Sequence, residues 1–522
     1  MSKLMLLFIA PFISSIIIFA LAGISGKILK RFAIALSFIP LAMLLYGQAN
    51  WIGSQIQYAW LPSLSIEFHL SVDSLSLLFL YLIAVIIPIS LLAVSRKDLA
   101  DPNMLYGLIL FLQGLLIVFF TARDLAVFTI FWEAMLLPLY FIINLWGGAQ
   151  RQNASLKFLI YMIAGSVLMV AAVLSLYFAA ESSSGTGSFN LDALAKVSAG
   201  APYASILGAI FLLAFAVKTP LFPFHAWLPD AYCQAPLAGT ILLSALLSKA
   251  GIYGILRIGM ELFPWLIKEW SPLLLGLSIA GVFYGGFAAW AQKDFKRLIA
   301  YSSFSHVNFI LVGLFVWEET AHSGAILQAL NHGITIAALF LVAGWLEERL
   351  GSTEMGSVSG LAKFLPQLCW LTLFFVLSSV ALPGMNNFVG ELLILYGLFS
   401  QNPWAAALLA LTVVLSVVYM LRWMQKVYFE APSAFQASWI DIKGKEIAIA
   451  LPLMAIILWI GVYPGPALEY AKASKTPAPE FVPFVNVPVP VPEFDLYSIQ
   501  SPSPFNRISE FEPSSDFESS AS

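Results

Sequence analysis

Apolar runs of about 20 residues, the length an α-helix needs to cross a bilayer, recur along this chain almost from end to end. Fourteen can be drawn, at approximately 4–22, 32–49, 70–94, 104–121, 124–145, 157–180, 203–233, 237–262, 271–291, 298–317, 322–346, 368–399, 403–428 and 446–468. Backbone polar groups have no water to bond in the hydrocarbon core, so such runs are expected to be helical. Only 11% of the residues are charged, against roughly 25% in ordinary soluble domains. The chain therefore reads as an all-α membrane protein with about fourteen spans. Met1 to Ala22 has the outline of a signal peptide, but in a multi-span chain it is expected to stay as the first helix.

Basic residues test the count. Sixteen fall in loops after odd-numbered spans and eight on the other side or in the tail; Lys218 and Lys249 lie within spans, which completes the 26. By the positive-inside rule both termini face away from the cytoplasm. The two cysteines, Cys233 and Cys369, are far apart, so neither an iron–sulfur cluster nor a zinc site is read from them. No segment has the pattern of a nucleotide-binding βα unit. From about 473 to 522 the composition turns to Pro, Ser and Glu, as in extended or disordered tails.

Two spans carry helix breakers at mid-depth: Lys218-Thr219-Pro220 with Pro223 in span seven, and Pro383-Gly384 in span twelve. Proline deletes a backbone hydrogen bond and clashes with the preceding turn, and paired interruptions in corresponding halves point to a transport site. They are the fourth members of two five-span units, which, five being odd, insert with opposite orientation. The expected organisation is 1–100 (spans 1–3), 101–265 (spans 4–8), 266–430 (spans 9–13, inverted), 431–472 (span 14) and 473–522 (tail). Two unrelated kinks are the plainer reading of the same prolines.

Six ionisable residues lie deep in spans: Glu133, Lys218, Lys249, His306, His332 and Glu391. Counted along their helices, Glu133 is roughly 14 Å in, Lys249 roughly 18 Å, His332 about 15 Å and His306 about 12 Å. Each such charge costs about 2.5–3.5 kcal/mol on insertion scales unless it is paired or wet. Six together point to proton movement. Glu133 and Lys218 are expected to pair across adjacent helices, with Lys249 next, the histidines bridging, since imidazole both takes up and gives protons near neutral pH, and Glu391 last. A structural ion pair and satisfied polar packing are the bland alternatives. Asp73, Arg123, Asp124 and Arg257 look like interfacial anchors, His225 and Asp230 like supports of the first break, and His69 and His322 like peripheral groups.

The stretches AFAVKTPLFPFHAWLPDAYCQAPLAG (214–239), FWEAMLLPLYFIINLWGG (131–148), QKDFKRLIAYSSFSHVNFILVG (292–313), ALNHGITIAALF (329–340) and GMNNFVGELLILYG (384–397) resemble the antiporter-like membrane subunits of respiratory complex I. Glutamate rather than lysine at 391, with FWEAMLLP, is similar to the chain 4 type (NuoM/NdhD). The resemblance implies a proton channel in the membrane arm of an NADH–quinone oxidoreductase, with Glu133 and Lys218 as a switch pair, Lys249 central and Glu391 terminal. It implies no cofactor here: FMN, iron–sulfur clusters and quinone belong to partner subunits. Subunits of Mrp-type sodium/proton antiporters and membrane-bound hydrogenases share most of these motifs, and a purely structural scaffold is a third reading. Tyr232-Cys233 departs from the family pattern of His followed by Ser or Thr, which puts a proton-entry role there in doubt.

Overall fold

The computed structural model describes residues 2–21, 23–47, 51–94, 100–431 and 439–474, so the tail expected over 473–522 lies almost wholly outside the described residues. Among the described residues, twelve helices are long and apolar enough to cross a membrane: α1 (Lys3–Ala20), α2 (Gly26–Tyr46), α3 (Ser74–Ala93), α4 (Pro102–Thr121), α5 (Leu125–Trp146), α6 (Arg151–Ser184), α8 (Leu237–Leu262), α9 (Ser271–Ala291), α10 (Phe295–Phe315), α11 (Glu319–Leu350), α13 (Pro403–Phe429) and α14 (Gly444–Val462). Between them, sequence spans seven and twelve hold pairs of shorter helices, α7a (Ala204–Lys218) with α7b (Leu228–Gln234), and α12a (Pro366–Ser379) with α12b (Asn386–Gln401). One departure from the all-helical expectation is an antiparallel hairpin, β1 (Gln55–Leu61) and β2 (Ile66–Ser71), in register Gln55↔Ser71. It takes the first residues assigned to span three. Its strand β2 pairs at Leu70 with Ala122, at the end of α4.

Helix starts follow the side chains available. Asp124, Asp294 and Glu318 each accept a backbone N–H from the first turn of α5, α10 and α11, which satisfies donors a helix leaves open. Gly185 and Gly351, both left-handed, close α6 and α11.

The helices sort by burial. The apolar windows of α8, α10 and α11 are 94–100% buried, whereas those of α1, α2, α6, α9, α13 and α14 are between 22% and 39% buried. The first three form an inner row, which is where Lys249, His306 and His332 sit. The others turn large apolar side chains outward, for example Ile160, Leu168, Leu411 and Val414.

Both breaks are held by asparagine. At the first, Asn308 of α10 donates to the Pro220 carbonyl at 3.2 Å and accepts from the Phe222 N–H at 3.3 Å. At the second, Asn331 of α11 donates to the Asn386 carbonyl at 2.7 Å, and Asn386 donates back to the Asn331 carbonyl at 3.1 Å. Irregular backbone at membrane depth survives where protein satisfies it in this way. Gly384, with φ 90°, makes the turn before α12b.

Close approach sets one more requirement. A Cβ at Gly251 of α8 would lie 2.6 Å from the Thr219 backbone nitrogen of the first break. Gly251→Val should therefore destabilise the protein by about 1–3 kcal/mol, the usual cost of overpacking. A lowered thermal midpoint of the purified variant in detergent is the expected result; an unchanged midpoint contradicts the contact.

Candidate functional site: a buried polar line

Lys218 is the last residue of α7a, and its side chain is buried. The amine donates to the Trp132 carbonyl on α5 at 2.8 Å and lies 3.4 Å from the centroid of the Trp132 ring, a cation–π contact worth about 2 kcal/mol when desolvated. Glu133, half-buried on the next position of α5, acts on Lys218 electrostatically. The expected ion pair is not formed. Within 4.0 Å the salt bridges among the described residues do not include Glu133 with Lys218. The lysine instead takes the neighbouring carbonyl, close to where α5 is interrupted at Met135 and Pro138 cannot bond back.

Lys249 is fully buried on α8, just after a π-helical turn at Leu243–Leu247. Such turns widen the helix and are frequent at functional sites. The amine donates to the Ser244 carbonyl five residues back at 2.8 Å and to the Ser248 hydroxyl at 3.2 Å, and it meets His332 Nδ1 at 2.8 Å. An ammonium only donates, so Nδ1 accepts there, and Nε2 of that imidazole carries the hydrogen.

From His332 the line continues. The rings of His332 on α11 and His306 on α10 have centroids 6.0 Å apart, and each Nε2 is buried without a protein partner. His306 Nδ1 lies 3.1 Å from Glu391 Oε1, which also accepts from Gln328 Nε2 at 3.2 Å. A small cavity beside this pair is lined by Ser305, Thr412 and Ser416. Lys249, His332, His306 and Glu391 thus follow one another in the expected order, on α8, α11, α10 and α12b. Lys218 and Glu133 form a separate group, with no hydrogen bond among the described residues joining Lys218 to Lys249. Thr219 stands against Gly251 of α8, and its hydroxyl is buried without a partner.

Comparison with known proteins decides the family. The profile described as NADH:quinone oxidoreductase/Mrp antiporter, TM, matches residues 122–418. NADH-quinone oxidoreductase subunit M of Pseudomonas aeruginosa is 36% identical over 434 residues, covering 82% of this chain and 85% of the relative. The chain belongs to this family. Subunit M of Mycobacterium tuberculosis is 35% identical over 509 residues, covering 89% of this chain and 92% of the relative.

Among solved structures, a chain of respiratory complex I from Thermus thermophilus with bound NADH superposes with a TM-score of 0.80 at 32% identity, covering 90% of this chain and 100% of that one. A chain of the archaeal membrane-bound sulfane sulfur reductase gives 0.81 at 26%, covering 91% and 98%. A chain of the Mrp complex from Dietzia sp. gives 0.77 at 22%, covering 91% and 97%, a likeness of fold alone. This member of the NADH:quinone oxidoreductase/Mrp antiporter family is accordingly a multi-pass integral membrane protein.

Other polar groups of this family member form networks near the helix ends and around the first break. Arg257 is buried near the end of α8, among other residues at helix ends. It pairs with Asp73 at 2.5 Å and Glu261 at 2.8 Å; Arg123 joins Glu261 at 3.1 Å and Asp192 at 2.6 Å. Burial alone would raise Asp73, but Arg257 and two bonds from Ser76 more than offset it and hold the carboxyl below its ordinary value. Asp230 follows the first break, as expected, and takes Lys157 at 2.7 Å and Arg297 at 3.1 Å. His225 packs its ring on Phe304 and Tyr284, which fits the supporting role. His69 Nδ1 accepts from the Asn190 side-chain amide at 3.1 Å. Trp132, Ser248, Gln328, Asn308 and Asn331 were not singled out in the sequence; neutral side chains among apolar ones carry no signal until their partners are known.

Asp124, the fully buried cap of α5, accepts from Ala126, Val127 and Glu67, yet burial pushes its carboxyl from the ordinary 3.8 up to about 6. The folded state then holds this proton more tightly than the unfolded chain, so the group's contribution to stability falls as pH rises through that interval. Asp124→Asn, which keeps a capping oxygen, removes that loss. Its thermal midpoint relative to wild type should rise between pH 4 and pH 6.5; parallel curves would refute the assignment.

Proposed function

We propose that this chain is a proton-translocating membrane subunit of an NADH–quinone oxidoreductase, binding no cofactor itself and moving protons while redox chemistry proceeds in partner subunits. One observation carries the reading. Four ionisable side chains from four helices, Lys249, His332, His306 and Glu391, lie in sequence through the buried centre, two of the steps being direct contacts of 2.8 and 3.1 Å. The family and the 32% identity to a complex I chain support it.

In this reading each residue has a task. An ammonium at Lys249 hands a proton to His332 Nδ1 while His332 gives the one on Nε2 towards His306. His306 accepts on Nε2 and releases from Nδ1 to Glu391 Oε1. Each imidazole breaks one N–H bond as it makes another, so no charge rests on it for long. Lys218 and Glu133 set the supply. With the amine beside the Glu133 carboxylate its charge is compensated; on the Trp132 carbonyl it is not, and giving up the proton relieves the buried charge. Movement between those two positions is the switch, and Lys249 is the next acceptor.

Lys218→Ala or Glu133→Ala should leave the complex assembled and cut the protons pumped per quinone reduced at least about twofold, by loss of the buried charge that drives the switch. Proteoliposomes containing the assembled complex, with pH dye and quinone reduction read together, check this. Wild-type stoichiometry in both variants sinks the assignment. A subunit of a sodium/proton antiporter is the second reading, on the shared fold; co-purification with flavin- and iron–sulfur-bearing subunits separates the two.

A further inference from the structure

Between the buried lysines and the hairpin side of the bundle lies a layer of rings that the relay does not use. Six come from four helices: Phe79 on α3, Phe119 and Phe120 on α4, Phe128 and Trp132 on α5, and Tyr253 on α8. None is more than 2% exposed. Phe79 stacks on Phe120 with centroids 4.8 Å apart, and Tyr253 closes on the two of them edge-on at 5.6 and 4.9 Å. Phe119 links Phe120, at 5.0 Å, to Phe128 at 4.7 Å and Trp132 at 5.9 Å. Phe215 of α7a, 5.4 Å from Trp132, carries the layer to the first broken helix.

The layer separates two sets of polar groups. On one side the Lys218 amine lies 3.4 Å from the Trp132 ring centroid, and the Lys249 amine points back along α8 to the Ser244 carbonyl. On the other, Tyr253 donates its hydroxyl to the Phe120 carbonyl at 2.7 Å and accepts from Arg257 Nε at 3.0 Å. Arg257 in turn holds Asp73, whose side chain is 45% exposed, so this network reaches the surface. Along α8, Tyr253 follows Lys249 by four residues and precedes Arg257 by four, about 6 Å of helix in each direction. On the other helices Phe120 stands three residues before Arg123, and Phe128 four after Asp124. The rings are therefore what lies between the lysines and an exposed charge network. A proton moves through protein on polar groups or water, and a charge without either costs about 2.5–3.5 kcal/mol or more at membrane depth. Packed rings supply neither, and an apolar constriction sheds water.

We propose that this aromatic layer is a proton barrier: it stops protons held at Lys218 and Lys249 from escaping to the hairpin side. The inference rests on the relay reading above. With that side closed, Lys218 gives up its proton only along the polar line, and a membrane potential does not discharge through the bundle. Trp132 serves both parts, since its face meets the ammonium while the ring packs into the layer.

The test uses the assembled complex in proteoliposomes without NADH, with a pH dye inside and a potassium diffusion potential across the membrane. Phe120→Asn and Phe79→Asn each place in the layer a polar group that water can bond. Passive proton entry should rise at least about tenfold over wild type, a barrier lowered by about 1.4 kcal/mol. Phe120→Leu keeps the layer apolar and should stay tight. Phe158→Asn, at an equally buried ring of α6 packed on Trp227, should stay tight as well. Wild-type leak in both asparagine variants of the layer, or an equal leak in Phe158→Asn, overturns the barrier. Adding Lys218→Ala to Phe120→Asn separates the barrier from the relay. Closure of the leak supports both; an undiminished leak keeps the barrier and refutes Lys218 as the source of the proton. Hydroxyl-radical footprinting of the wild-type complex requires no variant to fold. Phe119, Phe120 and Tyr253 should escape oxidation while His306 and His332 are oxidised by neighbouring water. Oxidised rings in the layer would place water there and overturn the proposal.

Discussion

A lysine amine held 2.8 Å from a histidine nitrogen at the buried centre of the bundle sets the terms for the surrounding structure. An ammonium there needs acceptors on every hydrogen, or its burial costs several kcal/mol. The widened turn of α8 frees the Ser244 carbonyl, Ser248 supplies a hydroxyl, and α11 must bring His332 within bonding distance. With Nδ1 of His332 committed to Lys249, its ring stands 6.0 Å from that of His306, and His306 is bonded to Glu391, which Gln328 holds in turn. One contact between α8 and α11 therefore fixes the direction of the line through α10 to α12b.

The broken helices make this arrangement possible. Lys218 ends α7a where the backbone leaves helical geometry, and Asn308 supplies the bonds that the prolines remove. Asn331 and Asn386 do the same at the second break by exchanging bonds with each other's backbone. Both arrangements depend on α10 and α11, the helices that carry the two histidines. Support for the breaks and placement of the proposed relay are thus one packing problem, enclosed by outer helices that turn apolar side chains outward.

Much of this was legible in the chain. Apolar runs gave the helices, prolines gave the breaks, and Glu133, Lys218, Lys249, His306, His332 and Glu391 stood out because charge in such runs is costly. The partners were not legible. Asn331 bonds a residue 55 positions away, and no local pattern announces a contact of that range. Helices such as α8 and α11 are buried on every side, so their apolar residues mark no single face, and which polar residues meet cannot be read from spacing. The Glu133–Lys218 pair went astray for the same reason: charge complementarity pointed to the carboxylate, while the kink in α5 puts the Trp132 carbonyl nearer. The hairpin at 55–71 was missed because its second strand runs straight into the apolar start of α3.

The central claim is that the buried groups form one hydrated path. The most direct test is a cryo-electron-microscopy map of the assembled complex in lipid, at a resolution that places individual waters. The account predicts ordered water between Nε2 of His332 and Nε2 of His306, and in the stretch past Thr219 that separates Lys218 from Lys249. Dry apolar packing at both places, with the histidines closed off from each other by side chains, would contradict it.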